Sequence, residues 1–167
     1  IDHAGLLPQL YKDGFRGRIY ATPATCSLSD VMLRDSANIQ ESDAAWKTRK
    51  AARAGLPPVA PLYTVDDAKG VIRLFRPCRY GETLTIADGM QVRFSDIGHL
   101  LGSACIEFWL REGGVEKKIV FSGDVGNIDQ PILNDPQPVA EADYLVVEST
   151  YGNRLHDKPK DVRAELT

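Results

Sequence analysis

Residues 84–121 constrain the fold more than any other stretch, because apolar side chains alternate along them and two turn signals interrupt the alternation. Leu84 and Ile86 alternate, Asp88-Gly89 is a hairpin turn, and Met90, Val92 and Phe94 alternate again into Asp96-Ile97. Ala104, Ile106, Phe108 and Leu110 make a further strand, which Gly113-Gly114 turns back into residues 119–121. A sheet of consecutive hairpins is therefore the expected scaffold of the second half. Residues 143–148 predict one more strand, and the unbroken apolar run Tyr144, Leu145, Val146, Val147 predicts burial on both of its faces.

The first half reads as helical. Leu6, Leu7, Leu10 and Tyr11 suit a short helix closed by Gly14, and residues 18–21 a short strand ended by Thr22-Pro23. Ser27 with Asp30 three positions on predicts the cap of a long helix whose apolar side carries Leu28, Val31, Met32 and Ile39, with Asp35 interrupting it. Between residues 41 and 53 acidic residues come first and Lys47, Arg49, Lys50 and Arg53 follow, the order a helix dipole favours, before Gly55-Leu56-Pro57-Pro58 stops the helix. Trp46 beside those bases offers either a stacking surface for a nucleotide or a packing residue. Thr64 and Asp67 form a capping box for a helix carrying Val65, Ala68, Val71, Ile72 and Phe75 up to Pro77.

The 167 residues, 43% of them hydrophobic, suffice for one domain with a real core. A net charge of -3 and a pI near 5.6 exert no global pull on nucleic acid, so any polyanion must be met by a local patch or by metal. Cys26, Cys78 and Cys105 are odd in number and without a Cys-x-x-Cys pair, which argues against a disulfide framework or a thiolate zinc site. With no apolar stretch of membrane-spanning length and no leader-like opening, the expectation is a soluble, cytoplasmic protein without a membrane partner. Because Ile1 is not an initiator methionine, and Asp2-His3 follow it with no strand to carry them, the chain is expected to be part of a longer one.

Three strands run into polar residues with related chemistry. One leads into Gly98-His99-Leu100-Leu101-Gly102-Ser103, one into Ser122-Gly123-Asp124, and one into Glu148. Asp2-His3 precede a helix, completing a His/Asp/Glu set of the hard and borderline ligands that zinc or manganese accept. Each also has a plain reading: His3 as a loop residue, His99 as a turn histidine, Asp124 as an ordinary Gly-Asp turn and Glu148 as a strand-end carboxylate.

Taken in order, these motifs resemble the metallo-β-lactamase fold and, within it, the β-CASP group of RNA-processing nucleases. Asp2-His3 match the end of that group's His-x-His-x-Asp-His motif, residues 98–103 its Gly-His-x-x-Gly-Ser loop, residues 122–124 its Ser-Gly-Asp, and residues 148–154 the acidic motif that opens the cap domain. The resemblance implies an α/β (α+β) fold, a partial αββα sandwich with a mixed β-sheet, with residues 1–154 as catalytic core and 155–167 as a polar tail entering the cap. It further implies two divalent metal ions, zinc before manganese, with Asp124 bridging both, His99 on the first and Asp2 and His3 on the second. Asp2, Asp124 and Glu148 would be catalytic, Glu148 by orienting a histidine ligand or the attacking water, and Ser103 and Arg154 would contact substrate. His156 is read as a surface residue.

The implied function is metal-dependent hydrolysis of RNA, with DNA as the other candidate substrate. The competing readings are a non-catalytic binding subunit and a small ester or thioester hydrolase; residues 148–154 count against the latter. The leading histidines of the first motif and the cap's own histidines lie outside the chain, so each metal has too few ligands within it. Half a sandwich should also expose a sheet edge, predicting self-association or association with the rest of the domain. The expected outcome is weak or no metal binding and little activity for the 167 residues alone; elemental analysis finding stoichiometric, tightly held zinc would contradict it.

Overall fold

The computed structural model describes residues 2–154. Ile1, the side chain of Asp2 and the tail 155–167, including His156, lie outside the described residues. A short 3-10 turn, Asp2–Ala4, precedes α1 (Leu7–Lys12), β1 (Ile19–Ala21), α2 (Pro23–Arg53), α3 (Val65–Ile72) and β2 (Phe75–Pro77). The chain then changes to β3 (Thr83–Ala87), β4 (Met90–Asp96), β5 (Ala104–Glu112), β6 (Val115–Phe121) and β7 (Tyr144–Val146). No described helix is long and apolar enough to cross a membrane.

The expected hairpins form a five-stranded mixed sheet in the order β3-β4-β5-β6-β7, antiparallel throughout except that β7 runs parallel to β6. Alternation sorts its faces. Val92 and Phe94 are buried on one face, packed with Leu84, Ile86, Ala104, Ile106 and Phe108. Tyr20 of β1 packs against this same cluster. β1 and β2 pair in parallel, and Ile19 and Phe75, opposite each other in that pairing, pack instead against the helical cluster of Leu33, Ala37, Tyr63, Ala68 and Val71. The result is three layers: helices, a two-stranded sheet and a five-stranded sheet.

Several helical expectations need correction. α2 begins at Pro23, not beside Ser27: the Thr22 hydroxyl accepts the Thr25 amide hydrogen bond, and Pro23 occupies the first turn, where its missing donor costs nothing. The Ser27 hydroxyl only bonds back to the Pro23 carbonyl at 3.2 Å. The buried side of α2 carries Ser29, Leu33, Ala37 and Ala44, whereas Leu28, Val31, Met32 and Ile39 are exposed. Short side chains let two helices approach closely, so the face with less apolar bulk is the one turned inward. The capping box of α3 forms as expected, but its helix stops at Ile72, and Phe75 belongs to β2 because pairing with Ile19 satisfies its backbone.

β7 departs from expectation most clearly. Tyr144, Leu145, Val146 and Val147 are all more than half exposed. β7 pairs with β6 along one edge, and among the described residues no strand pairs with its other edge. Continuous hydrophobicity marks a strand suited to burial, and whether burial happens depends on a covering layer that the strand does not supply.

The outer face of the large sheet is held by charge. Glu107, fully buried, receives Arg93 Nε at 2.8 Å and Nη2 at 2.9 Å, the Ser95 hydroxyl at 3.0 Å and Lys118 Nζ at 2.7 Å. Arg93 lies opposite Glu107 in the β4–β5 register, so the bidentate pair is a cross-strand clamp. Burial pushes the Glu107 carboxyl up, but the bonds from Arg93, Lys118 and Ser95 outweigh it and hold the group at about 2. A depressed folded-state value means that this stabilisation is complete above the ordinary value of 4.5 and is lost as pH falls towards 2. Glu107→Gln should therefore remove part of the acid-dependent loss of stability in that window and cost about 2–3 kcal/mol at neutral pH. Urea unfolding followed from pH 7 down to about pH 2 checks both effects, and an unchanged acid limb would contradict the assignment.

Candidate functional site

Strand direction brings the candidate residues together. β4 and β6 each run antiparallel to β5, and β7 runs parallel to β6, so β4, β6 and β7 all end at the same edge of the sheet. The loops that follow them carry His99, Asp124 and Glu148. His3, from the turn Asp2–Ala4, reaches the same place.

Asp124 is the centre of the cluster. Its Oδ2 lies 3.5 Å from His3 Nε2 and 3.9 Å from His99 Nε2, so two imidazoles from distant parts of the chain converge on one carboxylate oxygen. The side chains of His3, His99 and Asp124 are 68%, 42% and 34% exposed, accessible to a ligand from solvent. They border a cavity of about 790 Å³ whose other walls include Asn127, Gln130, Glu148, Thr150 and Tyr151.

The loops are fastened by hydrogen bonds that residue types alone do not announce. Ser103 Oγ accepts from the His99 amide at 3.2 Å and the Leu100 amide at 3.1 Å, closing the loop that bears His99. The Gly102 carbonyl accepts from the hydroxyls of Thr22 and Thr25, tying that loop to the start of α2. Asp96 is buried and accepts from the Gly98 amide at 3.0 Å and from Asn134 Nδ2 at 2.9 Å. A carboxylate two positions before Gly98 is a local signal of an Asx-type turn that strand alternation alone passes over, whereas the link to Asn134 is purely tertiary.

The Asp124 loop is held on both sides. Gly123 takes φ of 61°, the left-handed region that turns the backbone sharply after β6. Gly126 donates its amide to the Ile97 carbonyl at 2.9 Å, and a β-carbon there would collide with the Gly98 backbone. Glu148 Oε1 accepts from the Val125 amide at 2.7 Å, beside Asp124, and the Glu148 amide itself reaches Ser122 Oγ at 3.3 Å. Glu148 thus positions the loop carrying the central carboxylate. Arg154 sits over the ring of Tyr151, 4.2 Å from its centroid, so its cation is placed beside one wall of the cavity.

Among the described residues, no group of three or more His, Cys, Asp or Glu side chains is spaced to hold one metal ion. His3 and His99 each bring an imidazole nitrogen near the Asp124 carboxylate, donor chemistry that zinc or manganese accepts, in a number smaller than a closed zinc site uses.

A mixed α/β sandwich with histidines and a carboxylate gathered at the strand ends defines a metallo-β-lactamase-like class. No family model matches the chain. It is 32% identical over 156 residues to ribonuclease TTHA0252 of Thermus thermophilus, an alignment covering 93% of this chain and 31% of that protein. It is 29% identical over 160 residues to an RNase J-like protein of Methanocaldococcus jannaschii (95% and 31%), and 33% identical over 156 residues to the transcription termination factor FttA of Pyrococcus abyssi (91% and 21%). These similarities support a β-CASP RNA nuclease family for the chain. It spans between about a fifth and a third of the length of these relatives.

The fastening bonds predict local effects. Ser103→Ala should speed amide exchange at His99 and Leu100, and Glu148→Ala at Val125, each by roughly tenfold or more, while Gly126, bonded to Ile97, stays protected. Hydrogen exchange read residue by residue by NMR checks this; unchanged protection at those amides would show that the loops are held by other contacts.

Proposed function

We propose that this chain supplies the strand-end face of a metal-dependent ribonuclease active site, with RNA as substrate. The observation that carries the reading is the convergence of His3 and His99 on a single oxygen of Asp124 at the mouth of a cavity of about 790 Å³. Similarity to a ribonuclease and to an RNase J-like protein supports RNA over other phosphodiesters.

His3, His99 and Asp124 would hold divalent metal, zinc or manganese. Bound metal would supply the positive charge that polarises a phosphodiester. The chain's own residues perform the positioning. Asp124 offers two oxygens on a backbone pinned by Gly126 and by the Glu148–Val125 bond, so its place relative to both imidazoles is set before substrate arrives. Ser103 orients His99 through two backbone amides and takes its role from the loop, with substrate contact through the same hydroxyl reserved for the bound state. Asn127, Gln130, Thr150 and Tyr151 line the cavity with neutral hydrogen-bonding groups suited to ribose hydroxyls and phosphate oxygens. Arg154, beside Tyr151, adds the positive charge that an acidic chain otherwise withholds from a polyanion. The exposed edge and apolar faces of β7 support pairing with further polypeptide of the same protein, and the family's work on RNA supports action in the cytoplasm.

The test is hydrolysis of single-stranded RNA by the natural protein carrying this sequence, with matched DNA and thioester substrates alongside. Asp124→Ala should lower RNA cleavage by at least about 100-fold, and removal of divalent metal by chelation should abolish it until zinc or manganese is restored. RNA cleavage unaffected by Asp124→Ala, or turnover of the thioester alone, would overturn the reading.

A further inference from the structure

The outward side of α2 carries an apolar stripe that the site does not use. Met32, Ile39 and Trp46 recur every seven residues, with Leu28 and Val31 continuing the stripe towards the start of the helix. At about 100° per residue, positions seven apart lie nearly in line along a helix. All five are exposed: Val31 is 65% exposed and Ile39 and Trp46 are each 56% exposed, on the side away from the inward-facing Leu33, Ala37 and Ala44. Single exposed apolar residues are ordinary, but Met32, Ile39 and Trp46 at heptad spacing, with Leu28 and Val31 beside them, make an exposed apolar row over residues 28–46 on which a second helix can pack.

Charge selects the occupant. Along this same side, Asp35 and Asp43 precede Arg49, Lys50 and Arg53, so the stripe is acidic towards its start and basic at its end. A helix with that polarity complements itself when reversed. We propose that α2 docks against α2 of a second copy of this chain in antiparallel orientation. The register that sets Ile39 against Trp46 of the second copy also sets Asp35 against its Lys50 and Met32 against the aliphatic stem of its Arg53. The neighbouring register, with Ile39 against Ile39, would set Asp35 against Asp43, two like charges at the seam, and is disfavoured for that reason. Lys50 already lies over the Trp46 ring within its own helix, 5.5 Å from the centroid, which orders both groups of the basic half at the position where the second copy's Asp35 and Ile39 arrive. RNA is the weaker occupant for this surface: the basic residues at its end suit phosphate and Trp46 suits a base, but Leu28, Val31, Met32 and Ile39 give a polyanion nothing to pair with.

Sedimentation equilibrium of the full chain across micromolar concentrations, with circular dichroism to confirm that each variant folds, tests the proposal. Wild type should dimerise, and Ile39→Asp should raise the dissociation constant by about 30-fold or more. Asp35→Lys and Lys50→Glu should each weaken the dimer by about tenfold, and the double variant should recover most of the loss, because both pairs across the two-fold regain opposite charges. Three results would overturn it: a monomeric wild type at 100 μM or so; a dimer indifferent to Ile39→Asp, which would place the contact elsewhere, as at the β7 edge; or a double variant no tighter than its parents. A monomer whose RNA affinity falls with Lys50→Glu would assign the surface to nucleic acid instead.

Discussion

The hydrogen-bonded polarity of the five-stranded sheet is the constraint on which the rest depends. An antiparallel meander sends β4 and β6 in the same direction, and the long connection 122–143 lets β7 join β6 in parallel, so three strands finish at one edge. Reversing the direction of β7 would carry Glu148 to the far end of the sheet and release the Val125 amide, and a one-residue slip would turn its side chains to the opposite face. The chemistry collected around Asp124 is thus a consequence of backbone pairing first and of side-chain identity second.

Two polar arrangements stabilise that polarity at different depths. On the outer face, the Glu107 clamp joins β4, β5 and β6 through Arg93, Ser95 and Lys118, where the charge is fully shielded and every carboxylate oxygen is occupied. At the strand ends, exposed bonds through Ser103 and Glu148 and a buried one through Asp96 hold loops whose candidate site side chains stay accessible. A rigid sheet carrying exposed, locally tethered loops is the division of labour that a binding or catalytic face needs.

Much of this was legible beforehand because the relevant signals are local. The Asp88-Gly89 and Gly113-Gly114 turns, the alternation along β4 and β5, and the Thr64–Asp67 capping box all depend on neighbours within a few residues. The errors share the opposite cause. The start of α2 depends on Thr22 and Pro23, and the hydroxyls of Thr22 and Thr25 also bind the Gly102 carbonyl some eighty residues away; the inward side of α2 departs from the apolar pattern because close helix packing favours Ala37 and Ala44 over larger apolar residues; and the apolar run of β7 is exposed because no described layer covers it. Glu107 carries no local signal of its role, since a carboxylate in an alternating strand announces burial only when its cross-strand partner is known.

For the site, residue order determined which groups are available: an Asp-His pair, a Gly-His-x-x-Gly-Ser loop, a Ser-Gly-Asp turn and an acidic strand end, each placed beside an element boundary by local propensity. Their meeting was decided by tertiary structure alone. His3 and Asp124 are separated by most of the chain, and only the stacking of two sheets and the shared direction of β4, β6 and β7 brings both imidazoles to the same carboxylate oxygen. Local sequence sets conformations within a turn or two, whereas contacts across a hundred residues exist only once the entropy of closing that loop has been offset by the packed core.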